Sequence, residues 1–160
     1  MMEREIISYT LEQLKAKGMD ASCSLNQSTK YEMNVETGKI TLIRTVFNNG
    51  LSLYAIKDNK SGSYSVNKLD RETIDQAIAT VVEIAESSEP DPAHAIAEYQ
   101  PSEVFCAGPR KPDEDLMYTR LEGFLEQVKS RYPKIIVENA YLDFTHQIRF
   151  IANTNGTDFT

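Results

Sequence analysis

The stretch from Asn49 to Pro92 constrains the fold most, because it joins strand signals to a helix with a marked beginning and end. Asp70 stands where an N-cap residue is expected, and Leu69 and Ile74 occupy the two positions of a hydrophobic staple. The apolar residues that follow recur on one helical face, and Pro90 prevents the helix from continuing. The stretch therefore predicts a β-hairpin against which one amphipathic helix packs.

The residues before this stretch predict a helix and then a series of strands. Apolar residues at helical spacing, followed by Gly18, predict a first helix over residues 3–17. Beyond it, apolar and polar residues alternate, which is typical of strands with one buried face. The predicted strands cover residues 21–26, 31–36, 39–47, 51–57 and 63–67, with turns at Thr37-Gly38, at Asn48-Asn49-Gly50 and over residues 58–62.

The second half begins with a proline-rich segment. Five of the six prolines lie between residues 88 and 113, which predicts an ordered but irregular tether. A third helix is expected from residue 112 or 113 to Arg131, followed by strands over residues 134–145 and 147–153 with His146 at the turn between them. These elements indicate an α+β fold class, divided into an N-terminal unit (1–90), a tether (91–112) and the start of a second α/β unit (113–160).

The position of the last predicted turn leads to an expectation about association. The chain ends at Thr160, four residues after the turn at residues 153–156, where another strand would begin. We therefore expect the second unit to be cut short. An incomplete sheet exposes unpaired backbone groups and apolar side chains, which favours self-association.

Composition excludes several classes of function. Hydrophobic residues make up 41% and charged residues 26% of the 160 positions, as in a folded globular domain. The net charge of −7 disfavours a nucleic-acid partner, because an acidic surface repels phosphates. The chain has no run of 18 apolar residues and no signal-peptide pattern at its beginning. We predict a cytoplasmic protein with neither nucleic acid nor membrane as a partner.

Four side chains could supply nitrogen or sulfur ligands to a zinc ion: Cys23, His94, Cys106 and His146. Their spacings match no metal motif. The favoured interpretation is two surface histidines and two buried, reduced thiols. We therefore predict no metal, cofactor or catalytic residue in this chain, and no bound zinc.

Other catalytic and ligand signatures are missing or have a structural explanation. The chain contains no GxSxG, GxGxxG or GxxxxGK[ST] sequence. The acidic residues 113–115 lie at the start of a predicted helix, where they complement its positive end. The polar residues 57–60 are interpreted as a hairpin tip. The predicted sheet offers a different possibility, since an exposed edge strand can accept an extended peptide unless a neighbouring domain covers it.

The order of several short segments resembles the TldD/PmbA family, long described as modulators of DNA gyrase. No single segment is specific, but their order and spacing extend over essentially the whole chain. The segments that carry the resemblance are Lys17-Gly18-Met19-Asp20-Ala21, Glu36-Thr37-Gly38-Lys39-Ile40, Asn49-Gly50-Leu51-Ser52-Leu53, residues 59–65, Leu69-Asp70, Ser88-Glu89-Pro90-Asp91-Pro92 and Asn153-Thr154-Asn155-Gly156. Tyr54 and Ala55 stand where the family has an arginine, so the chain is a divergent member.

The resemblance implies a role in proteolysis that this chain does not perform alone. TldD-type members are zinc peptidases with an HExxxH motif, and they act on unfolded peptides together with PmbA (TldE) partners that lack the metal. No HExxxH occurs here, so zinc is expected only in another part of the protein or in a TldD-like partner subunit. The Pro-Asp-Pro element favours the PmbA arm. The resemblance predicts the N-terminal region of such a subunit, which helps to enclose or position a peptide; the alternative is a stand-alone protein-interaction module without enzymatic activity.

Overall fold

A computed structural model describes residues 2–160 of the chain. Within this range three helices and five strands alternate, and long strands dominate. In chain order the elements are α1 (Glu3–Ala16), β1 (Asp20–Glu36), β2 (Lys39–Lys57), β3 (Lys60–Val66), α2 (Arg71–Ser87), α3 (Glu114–Arg131), β4 (Asn139–Asn153) and β5 (Asp158–Phe159).

The strands form one five-stranded sheet in the order β3-β2-β1-β4-β5. β2 and β3 make an antiparallel hairpin whose register runs from Leu51 opposite Val66 to Lys57 opposite Lys60. α2 packs against β3, so the hairpin and helix expected from residues 49–92 are both present. The α+β fold class is confirmed.

The helix boundaries agree closely with the sequence, because polar side chains mark them. The Asp70 carboxylate accepts a hydrogen bond from the Thr73 backbone N–H at 3.0 Å, which satisfies one of the free donors at the start of α2. The Asp113 carboxylate accepts one from the Leu116 N–H at 2.9 Å and begins α3 in the same way.

The predicted strands over residues 21–26 and 31–36 are one strand, β1, and two predicted turns do not exist. The tight turn expected at Asn48-Asn49-Gly50 is wrong, because β2 continues through these residues. The turn expected at His146 is also wrong, since β4 is continuous there. In β2 the inward-facing positions change from even numbers at Ile40 to odd numbers at Leu51, which indicates one extra residue within the strand. A β-bulge accommodates such a residue.

Contacts divide the chain into two compact units, each assembled from separate segments. Unit 1 comprises residues 2–27, Asn48–Cys106 and Ile148–Thr160; unit 2 comprises Ser28–Phe47 and Ala107–Gln147. The domain boundaries predicted at residues 90 and 112 stay a prediction. The strand expected to begin a second unit, β4, lies beside β1 in the same sheet.

Unit 1 has a closely packed core between its helices and its part of the sheet. Gly62 of β3 marks the tightest point. A Cβ atom at this position would lie 2.4 Å from the Val81 carbonyl oxygen and 2.7 Å from the Ala85 nitrogen. Only glycine permits this approach of α2 to the strand. The sixteen buried core residues are Ile6, Ile7, Leu14, Met19, Ala21, Cys23, Leu25, Leu51, Leu53, Ala55, Ile74, Ala77, Ile78, Val81, Ala85 and Ala152.

The segment after α2 is irregular and is held to unit 1 by hydrogen bonds. The Ala97 carbonyl accepts from the side-chain amides of Asn153 at 3.0 Å and Asn155 at 2.9 Å. Glu103 forms a parallel bridge with Phe159 of β5. Few of these side chains are buried, so polar contacts of the backbone, rather than a core, fix the path of the segment.

Unit 2 consists of parts of β1, β2 and β4 with α3 packed on one face. Its core is small: Met33 and Val35 from β1 and Met117 and Leu121 from α3 are the buried residues. Further apolar side chains are only partly buried against them, namely Ile40, Leu125, Val137, Ala140, Leu142 and Phe144.

Candidate functional site

The most prominent feature of unit 2 is a strand with no partner on one side. β3 pairs with β2 only from Leu51 to Lys57. Among the strands formed by residues 2–160, none lies beside residues 39–47 on the side away from β1. We refer to this side of residues 39–47 as the open edge. Its backbone N–H and C=O groups are available to an added strand.

The side chains along the open edge suit strand pairing. The sequence from 39 to 47 contains five β-branched residues, and such residues pack well on a pleated surface. Ile43 is 53% exposed and Phe47 is 74% exposed, although both are apolar. The segment contains Lys39 and Arg44 but no acidic residue. An unpaired strand that exposes apolar side chains is typical of an interaction site.

A second strand of unit 2 also lacks a neighbour over part of its length. β5 pairs only with Ile151 and Ala152 of β4, so no strand of the described chain lies next to residues 139–146 on that side. This stretch contains Asn139, Asp143 and His146, and Asn and Asp disfavour strand pairing. The open edge of β2 is therefore the better candidate.

An ionic network on β1, β2 and β4 surrounds Glu32. Its carboxylate lies 2.6 Å from the Arg44 Nε atom and 3.0 Å from the Lys30 Nζ atom, and Lys30 also lies 4.0 Å from Asp143. The hydrogen bonds from Lys30 and Arg44 hold the pKa of Glu32 below its ordinary value. The hydrogen bond to Glu32 raises the pKa of Lys30 in turn. These pairs leave the side chain of Arg44 bound to β1 rather than free at the open edge.

Unit 1 contains a serine, a histidine and a tyrosine that the sequence did not predict to meet. The Ser61 hydroxyl lies 3.0 Å from His94 Nε2, and the Tyr54 hydroxyl lies 3.2 Å from His94 Nδ1. A serine beside a histidine is also the geometry of an activated nucleophile. The residues are 33 and 40 positions apart, so no local motif could reveal them.

The surroundings of this group favour a structural role. The cavity of about 380 Å³ next to His94 is lined by His94, Asp58 and Asn59 but not by Ser61. The other ring nitrogen of His94, Nδ1, lies against the Tyr54 hydroxyl. In a Ser-His-Asp triad a carboxylate takes that place and orients the histidine. The backbone N–H of Asp91, three residues before His94, also donates to the Asn59 carbonyl oxygen at 2.8 Å. Together these bonds anchor the segment after α2 to the β2–β3 hairpin.

The four conceivable zinc ligands are not brought together. Within residues 2–160, no three side chains of His, Cys, Asp or Glu form a group that could hold a metal ion. Cys23 is buried in the core of unit 1, where burial raises the pKa of its thiol to about 12. The prediction that Cys106 is buried is wrong: it lies in the irregular segment, where neighbouring side chains are exposed. His146 lies within β4.

Part of this chain matches the sequence of a known protein family. Residues 21–85 match the sequence model of the PmbA/TldA metallopeptidase domain 1. Over these residues the chain is a domain 1 of the TldD/PmbA family. The matched range contains the open edge, the β2–β3 hairpin and most of α2, and it agrees with the resemblance seen in the segments around Thr37, Gly50 and Gly62. No curated protein sequence matches the chain.

Solved structures of similar fold include TldE from Thermococcus kodakarensis, with a TM-score of 0.73 and 17% identity over 97% of this chain and 35% of that one. A proposed modulator of a DNA gyrase from Thermotoga maritima gives a TM-score of 0.68 and 13% identity over 97% of this chain and 36% of that one. A proposed modulator of DNA gyrase from Bacteroides thetaiotaomicron gives a TM-score of 0.59 and 17% identity over 97% of this chain and 37% of that one. At these identities the likeness establishes the fold. The chain spans about a third of the length of those proteins.

No helix formed by residues 2–160 is both long enough and apolar enough to cross a bilayer.

Proposed function

We propose that this TldD/PmbA chain is part of a peptidase-complex subunit and holds an unfolded peptide in extended form for cleavage elsewhere in the protein or in a partner. The observation that carries the proposal is the open edge. A peptide that adds to residues 39–47 as a strand is held by its backbone, so the edge can accept many sequences. That property suits a subunit that presents unfolded chains of varied sequence.

We assign the chemistry to a different site. Among residues 2–160, no three side chains of His, Cys, Asp or Glu form a group that could hold a metal ion. We assign the zinc of the family to a TldD-like partner subunit or to another part of the protein. Two features support the PmbA (TldE) arm: the Pro-Asp-Pro element at residues 90–92 and the structural likeness to TldE from Thermococcus kodakarensis.

Site-specific photo-crosslinking tests this proposal. A benzophenone amino acid replaces Phe47 at the open edge in one variant and Tyr141 on β4 in another. The two positions make a matched pair, since Phe47 is 74% and Tyr141 70% exposed. We expect an unfolded casein fragment to crosslink at position 47 and much less at position 141. Equal yields at both positions would contradict the assignment to the open edge. A folded protein that crosslinks at position 47, while casein does not, would support the alternative of an interaction module.

A further inference from the structure

A cleft of unit 2 lies directly beside the start of the open edge. It encloses about 550 Å³ and includes Lys39 and Ile40 of β2 in its lining. Its other walls come from α3, from the Thr37-Gly38 turn and from the segment that leads to β4. The apolar side chains that line it are Ile40, Leu125, Val128, Ile135, Ile136 and Val137. Burying a leucine or phenylalanine side chain in such a cleft is favourable, because it removes apolar surface from water.

The rim of the cleft carries four charged side chains that are not neutralised in pairs. Glu122 and Glu126 lie on consecutive turns of α3, and Lys39 and Lys129 also line the cleft. None of the four belongs to an ion pair within the described part of the chain. The whole chain has a net charge of −7, so its long-range field attracts cations. Two glutamates and two lysines balance within the lining, so this overall negative field is what favours a basic group near Glu122 and Glu126.

We propose that this cleft is a side-chain pocket that selects one large apolar residue of a peptide held at the open edge, with a lysine or arginine two positions away. Residues two apart on a strand lie on the same face, roughly 7 Å apart. The apolar residue and the basic residue of the peptide therefore face the same side of the sheet, and the apolar lining and both glutamates belong to one cleft. This inference rests on the proposed function and adds a sequence preference to it.

The test uses labelled decapeptides built on alternating threonine and valine, whose dissociation constants are measured by fluorescence anisotropy. One peptide carries leucine and lysine two positions apart. A second has serine in place of the leucine, and a third has glutamate in place of the lysine. We expect the loss of leucine to weaken binding roughly tenfold or more. The glutamate peptide should bind several-fold more weakly, and 0.5 M salt should remove most of that difference.

Substitutions in the chain assign the preference to the cleft. Ile136 is 67% exposed, so Ile136→Ser should leave the fold intact while it reduces the preference for leucine. Val104→Ser is the control, because Val104 is 71% exposed in unit 1. The double variant Glu122→Gln/Glu126→Gln should abolish the preference for lysine, whereas Glu83→Gln/Glu86→Gln on α2 should retain it.

The possible failures can be told apart. If all three peptides bind equally well, the side-chain pocket is refuted while strand addition at the open edge stands. If the preference exists but Ile136→Ser leaves it unchanged, the pocket lies elsewhere and this inference is overturned. If no peptide binds and none crosslinks at position 47, the proposed function fails as well.

Discussion

The two units of this chain differ in how much apolar surface they bury and in how well their strands are covered. Unit 1 buries sixteen apolar residues in its core, and unit 2 buries four among the residues described. In unit 1, α2 packs on β3 and Glu103 pairs beside β5. In unit 2 no strand of the described residues lies beside the outer side of residues 39–47 of β2. Burial of apolar area is the main source of folding free energy, so unit 1 supplies most of the stability.

The contrast explains why an interaction site would lie in unit 2. A strand can offer unpaired backbone groups to a peptide only where neighbouring elements leave it uncovered. Such a strand contributes less buried area than a central one. Unit 2 therefore combines low burial, exposed apolar side chains and the cleft beside the open edge, and unit 1 contains most of the buried apolar residues.

Leucine-to-alanine substitutions in the two cores test the contrast with the largest expected effect. Leu25 is fully buried in unit 1, and its replacement by alanine should lower the free energy of unfolding by about 4 kcal/mol. Leu121→Ala in unit 2 should cost only about 2 kcal/mol, since its small, partly open core can adjust around the change. Urea denaturation of both variants measures the difference. Equal losses would show that the two cores are equivalent.

A pair of glycine substitutions sharpens the contrast. Gly62→Ala should destabilise the chain by about 3 kcal/mol, because its Cβ would clash with the backbone of α2. Gly123 lies within α3, and no atom stands within 4 Å of a Cβ placed there. Gly123→Ala should therefore stabilise the chain by about 0.5–1 kcal/mol. Thermal melts of the two variants check the opposite signs, and a destabilising Gly123→Ala would show that α3 is more closely packed than described.

A pH effect at the start of α2 is the smallest of these changes. The Thr73 backbone N–H holds the pKa of Asp70 below its ordinary value. Its contribution to stability is therefore complete above the unfolded pKa of about 4, and it is lost as the pH falls through the lower folded value. Asp70→Asn keeps a capping oxygen that does not titrate. Between about pH 4 and pH 2 the melting temperature of the wild type should fall further than that of Asp70→Asn. Equal falls in the two proteins would show that the Asp70 carboxylate is not the source of the pH effect.

The sequence predicted the local elements well because their signals are local. Asp70 and Asp113 begin helices through hydrogen bonds to the next turn, and both were predicted. The continuous course of β2 through Asn48, Asn49 and Gly50 was not. These residues suit a tight turn as well as a bulge, and pairing with the rest of the sheet decides between them.

The candidate site was predictable only in part. The sequence indicated a sheet with an exposed edge, but it could not show that β3 stops short of residues 39–47. The cleft depends on α3 and β2, which are some 80 residues apart in sequence, so its lining has no local signal. The contact of His94 with Ser61 was missed for the same reason.

Hydrogen–deuterium exchange with and without an unfolded peptide tests the central claim most directly. In the free chain the outward-facing amides of residues 39–47 should exchange rapidly, because no strand covers them. Peptide at saturating concentration should slow exchange in this segment and leave residues 51–57, which already pair with β3, unchanged. Protection of residues 139–146 instead, or no change at residues 39–47 while the peptide is bound, would contradict the assignment of peptide binding to the open edge.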